Sequence, residues 1–79
     1  MQKSVKIFTT PTCAYCKMAK EFFRQNNIKY EEIDVVTNAQ ARDEMINKSG
    51  QMGVPVIFVG DDIVVGFDKR RLSELLGVK

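Results

Sequence analysis

The sequence predicts an α/β domain with the element order β-α-β-α-β-β-α, in which a mixed four-stranded sheet is covered by three helices. Short β-branched runs alternate with segments whose apolar residues recur at helical spacing. We therefore expect parallel pairing between the strands that alternate with helices, and an antiparallel partner for the last strand. The length of 79 residues has room for one hydrophobic core, so residues 1–79 are expected to form a single domain.

The first strand and the first helix are predicted to meet near Cys13. Val5, Ile7 and Phe8 indicate a short strand, and Pro11 in the following turn prevents its continuation as a central strand. Apolar residues then recur on one helical face until residues 26–27, two asparagines of low helix propensity. That predicted face comprises Tyr15, Met18, Ala19, Phe22 and Phe23.

A second strand and a second helix follow. Residues 29–35 predict a weaker strand, and their interspersed acidic side chains suggest the edge of the sheet. Thr37 and Gln40 then fit a capping box, in which the Thr37 hydroxyl is the N-cap of a helix that extends to Gly50.

The last third of the chain predicts a hairpin and a final helix. The continuous apolar run 55–59 reads as a buried strand, and residues 63–65, after a short turn, read as its antiparallel partner. Asp68 is placed as the N-cap of the third helix and Gly77 as its end.

Charge and hydropathy narrow the class of protein. Twelve basic and ten acidic residues are mixed along the chain and give a net charge of +2, which does not favour nucleic acid or a membrane surface. No apolar stretch approaches the roughly 18 residues of a membrane span, and the first residues lack the apolar core of a signal peptide. We therefore expect a cytoplasmic protein, in which two cysteines favour redox chemistry over a structural disulfide.

Cys13 and Cys16 form a Cys-x-x-Cys motif at the predicted junction of strand and helix. Cys13 would lie at the helix start, where free N–H groups and the helix dipole favour the thiolate over the thiol. Cys16, one turn later, would be buried, so Cys13 is predicted to attack and Cys16 to resolve. A zinc site would need two more ligands, and the chain has no His and no third Cys. No metal site is therefore predicted within one chain.

Two further patches have both a functional and a purely structural interpretation. A cis Val54-Pro55 bond would leave the Val54 backbone free to pair with an extended peptide, although most bonds before proline are trans. Gly66 would let a ligand approach the backbone, and the N–H groups of Phe67 and Asp68 could bind a carboxylate. The same three residues would equally well form a plain helix start.

Together the Cys-x-x-Cys motif and these two patches resemble the glutaredoxin family over essentially the whole chain. The matching segments are 11–16, 45–55 and 66–68. The resemblance implies a thioredoxin fold, a cis Val54-Pro55 bond, and reduction of protein disulfides or glutathione mixed disulfides through Cys13. It implies no tightly bound cofactor, with glutathione as a candidate reductant, and we expect a monomer.

The resemblance also implies roles for individual residues. Tyr15 would line the thiol site, Arg42 would meet the glycine carboxylate of glutathione, and Val54 would pair with its cysteine backbone. Phe67 and Asp68 would hold its γ-glutamyl end.

Three positions depart from the family pattern, and these departures affect the expected affinity for glutathione. Thr10 stands where many members have a lysine that contacts glutathione, Gly53 replaces a common threonine, and Gly66 follows Val65 where two glycines are usual. Gly66 and Phe67 also look like redoxins that reduce ribonucleotide reductase and are recharged by a thioredoxin-reductase-like flavoprotein. Those proteins usually have a different Cys-x-x-Cys interior, so both reductants stay open.

A different class of function is an iron-sulfur cluster carrier. Ala14 replaces the proline of many dithiol members, and a loosened motif could let two chains share a cluster with two glutathiones. A visible absorption band after anaerobic reconstitution would indicate that function.

Overall fold

A computed structural model describes residues 4–78, so residues 1–3 and residue 79 of the predicted domain lie outside the described residues. The elements follow the predicted order β-α-β-α-β-β-α. They are β1 (Val5–Thr9), α1 (Ala14–Gln25), β2 (Glu31–Asp34), α2 (Ala39–Ser49), β3 (Val56–Val59), β4 (Asp62–Val65) and α3 (Lys69–Leu76). Within residues 4–78, none of these helices has the length and apolar character needed to cross a membrane.

The four strands form one mixed sheet in the order β2-β1-β3-β4, with β2 at an edge as predicted. Strand β1 pairs parallel with β2 but antiparallel with β3, and β3 pairs antiparallel with β4. The expectation of parallel pairing is therefore wrong for β3. Thr9 pairs with Asp34 and Phe8 with Val56, so the connection through α2 begins and ends at the same end of the sheet. The chain must then run back along β1 in the opposite direction.

The two central strands separate two apolar clusters. Side chains alternate between the faces of a strand, so Ile7 faces one cluster and Phe8 the other. Helices α1 and α3 cover the first face, where Phe23 and Leu72 are fully buried, and α2 covers the second with Met45. Because β1 and β3 are packed on both faces, the loops that follow β1 and precede β3 extend from a rigid support.

The buried stripe of α1 differs from the predicted one at its first turn. Ala19, Phe22 and Phe23 are buried as expected, but Tyr15 and Met18 are 62% and 50% exposed. Cys16 faces the core. Tyr15, one position before it, and Met18, two positions after it, therefore face away from the core.

Asn38, and not Thr37, is the N-cap of α2. The Asn38 side-chain oxygen accepts a hydrogen bond of 3.0 Å from the Ala41 N–H. Thr37 instead donates its hydroxyl to the Asp34 carbonyl at 3.4 Å, within the turn that follows β2. The predicted capping box is therefore wrong by one residue, because asparagine caps at least as well as threonine and lies nearer to the first helical N–H groups.

We expect Asn38→Ala to lower the free energy of unfolding by about 0.5–2 kcal/mol, since it removes the cap of α2. The control Thr37→Ala should cost less than about 0.5 kcal/mol, because it loses one long, exposed hydrogen bond. Urea denaturation followed by circular dichroism measures both values. A larger loss for Thr37→Ala would restore Thr37 as the cap.

Candidate active site

The turn after β1 places Cys13 at the start of α1. The Cys13 N–H donates to the Thr10 carbonyl at 3.3 Å, which closes the turn containing Pro11. Cys13 has extended backbone angles and is the N-cap of α1, and its sulfur accepts a hydrogen bond of 3.1 Å from the Cys16 N–H. The sulfur thus takes the position of a capping oxygen, next to the positive end of the helix dipole. This is the position that the sequence predicted for it.

Cys16 lies one turn further along the helix and is only 1% exposed, whereas Cys13 is half-buried. Burial, followed by the hydrogen bond with Cys13, raises the pKa of the Cys16 thiol to about 12. Cys16 is therefore protonated at neutral pH, and an incoming disulfide can reach only the Cys13 sulfur. The part of the chain that the structure describes contains no cluster of three or more Cys, Asp or Glu side chains suited to a metal ion.

The proline loop and the start of α3 are joined by one hydrogen bond. The Val54-Pro55 bond is cis, as predicted, and Pro55 is buried. The Gly66 N–H donates to the Pro55 carbonyl at 2.8 Å. Gly66 has a φ of +80°, a backbone conformation that residues with a Cβ atom rarely adopt. The Val54-Pro55 segment and the segment that begins at Gly66 are therefore neighbours at the end of the sheet where β3 begins and β4 ends.

An open groove of about 360 Å³ lies beside this loop. It brings together Arg42 from α2, Thr10 from the turn before Cys13, and Val54. Neither the N–H nor the C=O of Val54 is hydrogen-bonded to another described residue. The remaining lining residues are Val35, Val36, Met52 and Gly53, of which Val36 and Met52 are about two-thirds exposed. The groove therefore offers one cation, an unpaired backbone segment and apolar walls.

Phe67 and Asp68 lie outside this groove, at the start of α3. The Phe67 ring packs edge-on against Phe22 of α1 at 6.0 Å, so its side chain belongs to the core. The Asp68 carboxylate caps α3 by accepting from the Arg71 N–H at 3.1 Å. The N–H groups of Phe67 and Asp68 have no hydrogen-bond partner among residues 4–78. Both interpretations of this patch are thus compatible with its geometry, and its binding role stays a prediction.

Lys20, a charged residue near the cysteines, was not among the site residues predicted from the sequence. Lys20 lies one turn after Cys16 and forms an ion pair of 2.7 Å with Glu32 of β2. Glu32 also accepts a hydrogen bond of 3.3 Å from the hydroxyl of Thr9, a buried polar residue of β1. The spacing of four residues between Cys16 and Lys20 places both on one helical face and could have indicated this arrangement.

The sequence is similar to those of known proteins. The glutaredoxin family model matches residues 5–64. An uncharacterised glutaredoxin-like 8.6 kDa protein in the rubredoxin operon of Clostridium pasteurianum is 40% identical over 72 residues, which cover 91% of this chain and 96% of that protein. Glutaredoxin 3 of Escherichia coli is 37% identical over 65 residues, with coverages of 82% and 78%.

Solved structures agree with this relationship. A mutant of the thioredoxin-like protein BC3987 superimposes with a TM-score of 0.92 at 31% identity and covers 98% of this chain and 99% of that one. The glutaredoxin-like NrdH-redoxin of Escherichia coli, described as having a thioredoxin-like activity profile, gives 0.81 at 25% identity, with coverages of 91% and 93%. A buckwheat glutaredoxin–glutathione complex gives 0.76 at 25% identity, with coverages of 92% and 73%.

We expect iodoacetamide to label Cys13 of the reduced, folded protein at least about tenfold faster than Cys16. Cys16 is buried, and with a pKa of about 12 it has almost no thiolate at neutral pH. Peptide mapping after a short labelling pulse gives the two rates. Alkylation of Cys16 first, or of both residues at equal rates, would contradict the assigned geometry.

Proposed function

This chain belongs to the glutaredoxin family, and we propose that it is a thiol-disulfide oxidoreductase that reduces protein disulfides or glutathione mixed disulfides through Cys13 and Cys16. The observation that supports this proposal most directly is the unequal placement of the two sulfurs. Cys13 is partly exposed and its sulfur accepts the Cys16 N–H, while Cys16 is buried one turn further along α1. A partly exposed sulfur backed by a buried, protonated thiol is the arrangement that stepwise exchange requires.

In the first exchange step, the Cys13 thiolate attacks one sulfur of the substrate disulfide. A bond forms between that sulfur and Cys13, the substrate disulfide breaks, and the second substrate sulfur leaves as a thiolate. The N–H of Cys16 and the dipole of α1 stabilise the attacking thiolate before the reaction.

In the second step, Cys16 loses its proton and attacks the Cys13 sulfur. A Cys13–Cys16 disulfide forms, and the remaining substrate thiolate leaves. The substrate disulfide has gained two electrons and the protein dithiol has lost two, so an external reductant must restore the dithiol before the next cycle.

The groove beside the proline loop suggests how an extended substrate would be held. The unpaired backbone of Val54 can form strand-like hydrogen bonds with a peptide or with the cysteine residue of glutathione. Arg42 lines the same groove and can pair with a carboxylate. The complex of buckwheat glutaredoxin with glutathione supports glutathione as one ligand of this chain.

We expect Cys16→Ser to trap a mixed disulfide on Cys13 with oxidised glutathione, because the attacking thiolate remains and the resolving thiol is gone. Cys13→Ser should trap nothing and should reduce insulin disulfides no faster than the uncatalysed reaction. Intact-mass measurement detects the adduct. If adducts formed on Cys16 of the Cys13→Ser protein and none on Cys13 of the other variant, the assigned roles would be reversed.

A second candidate concerns the source of electrons. We propose that a thioredoxin-reductase-like flavoprotein recharges this chain at least as well as glutathione does. The groove has Thr10 where a lysine would add a second cation beside Arg42. Exposed apolar side chains, Val36 and Met52, border it instead and suit contact with a protein surface. The likeness to an NrdH-redoxin with a thioredoxin-like activity profile also supports this candidate.

We expect Thr10→Lys to lower the KM for glutathione about two- to fivefold, since an exposed ion pair contributes at most about 1 kcal/mol. Turnover with thioredoxin reductase should stay the same or fall. Coupled NADPH assays with each reductase, on wild type and variant, give these values. Fast glutathione turnover in wild type, with no gain from the added lysine, would identify glutathione as the sufficient reductant.

A further inference from the structure

We propose that Lys20 assists the second exchange step, because its ammonium group, fixed by Glu32, stabilises the negative charge that develops on Cys16. This inference rests on the proposed oxidoreductase function and extends it to a residue outside the Cys-x-x-Cys motif. Lys20 makes no hydrogen bond to either sulfur, so it is a positioning residue that acts through Cys16.

The geometry of α1 brings Lys20 and Cys16 together. The two residues are four positions apart and therefore lie on one face of the helix, one turn from each other. Lys20 is not a freely moving surface lysine, because its side chain is only 29% exposed and its ammonium lies 2.7 Å from a Glu32 oxygen. Glu32 is in turn held by the hydroxyl of buried Thr9. A chain of contacts from β1 through β2 thus fixes this cation beside the buried thiol.

Few other charged groups act on Cys16. It interacts with Cys13 at the N-cap of α1, with Lys20 on α1, and with the backbone of Thr10 in the preceding turn. Lys20 itself interacts with Glu32 and Tyr30 from the segment that contains β2.

Lys20 also lines an open groove of about 290 Å³. Its other lining residues are Lys17, Glu21, Arg24, Tyr30 and Glu32. Burial has the largest effect on the pKa of the Cys16 thiol and raises it, while the backbone of Thr10 and, to a smaller extent, the charge of Lys20 lower it.

The second step needs this assistance because Cys16 must ionise inside the protein. The thiol releases a proton to solvent, the resulting thiolate bonds to the Cys13 sulfur, and the substrate sulfur leaves with the electron pair of the broken bond. The thiolate is disfavoured by burial, and a fixed positive charge nearby offsets part of that cost. The Cys13 step does not need Lys20, because the Cys13 sulfur already accepts the Cys16 N–H.

The test separates the two steps with dithiobis-nitrobenzoate as the substrate disulfide. The reduced full-length chain should release two coloured nitrothiobenzoate anions. The first appears as Cys13 attacks the reagent, and the second appears as Cys16 displaces the group bound to Cys13. Stopped-flow absorbance from mildly acidic to mildly alkaline pH resolves the two phases.

We expect Lys20→Met, which keeps the length of the side chain but removes its charge, to slow the second phase about three- to tenfold at each pH. The first phase should change less than twofold. Lys20→Arg should keep the second phase within about twofold of wild type, since it preserves the charge. Far-ultraviolet circular dichroism checks that both variants remain folded.

Lys48→Met is the matched control. It also removes one lysine and one lysine–glutamate ion pair, here with Glu44 at 3.8 Å, but near Ser4 and Gly60, at the opposite end of β1 from Cys13. Both phases should be unchanged. An unchanged second phase in Lys20→Met, or equal slowing of both phases, would overturn the role of Lys20. Absence of the first phase in wild type would overturn the proposed function itself, and this inference with it.

Discussion

Phe8 pairs with Val56 in the antiparallel ladder between β1 and β3, and this register brings the end of one central strand next to the start of the other. Cys13 follows β1 after one turn, and the cis Val54-Pro55 bond immediately precedes β3. The Gly66 N–H then joins the end of β4 to Pro55. Three segments that are far apart in sequence therefore meet because the two buried strands between them allow one alignment.

The different reactivity of the two cysteines follows from their positions on one helix. An N-cap residue lies outside the helical hydrogen-bond pattern and can stay accessible, whereas a residue one turn later must face either solvent or core. Cys16 faces the core, beside Ala19, and its thiol is thereby kept protonated. The spacing of two residues between the cysteines thus gives one partly exposed sulfur and one buried sulfur.

The order of the elements and the placement of Cys13 and Cys16 could be predicted from the sequence, since helical periodicity and the junction at Cys13 are local signals. The antiparallel direction of β3 was not predicted, because it depends on where the connection through α2 returns to the sheet. Thr37 and Asn38 are adjacent residues of similar capping ability, and only the backbone geometry distinguishes them. Lys20 was missed because its importance comes from Glu32, a residue on another element.

The N-cap of α1 is Cys13, whose sulfur also carries out the proposed disulfide exchange, so that proposal links helix capping thermodynamically to electron transfer. Interactions that stabilise the reduced thiolate favour the dithiol over the disulfide and thereby raise the reduction potential. A change that strengthens the cap would make the protein a weaker electron donor, even if the Cys-x-x-Cys residues were untouched. Interactions at the first turn of α1 would thus change the reduction potential of the Cys13–Cys16 pair.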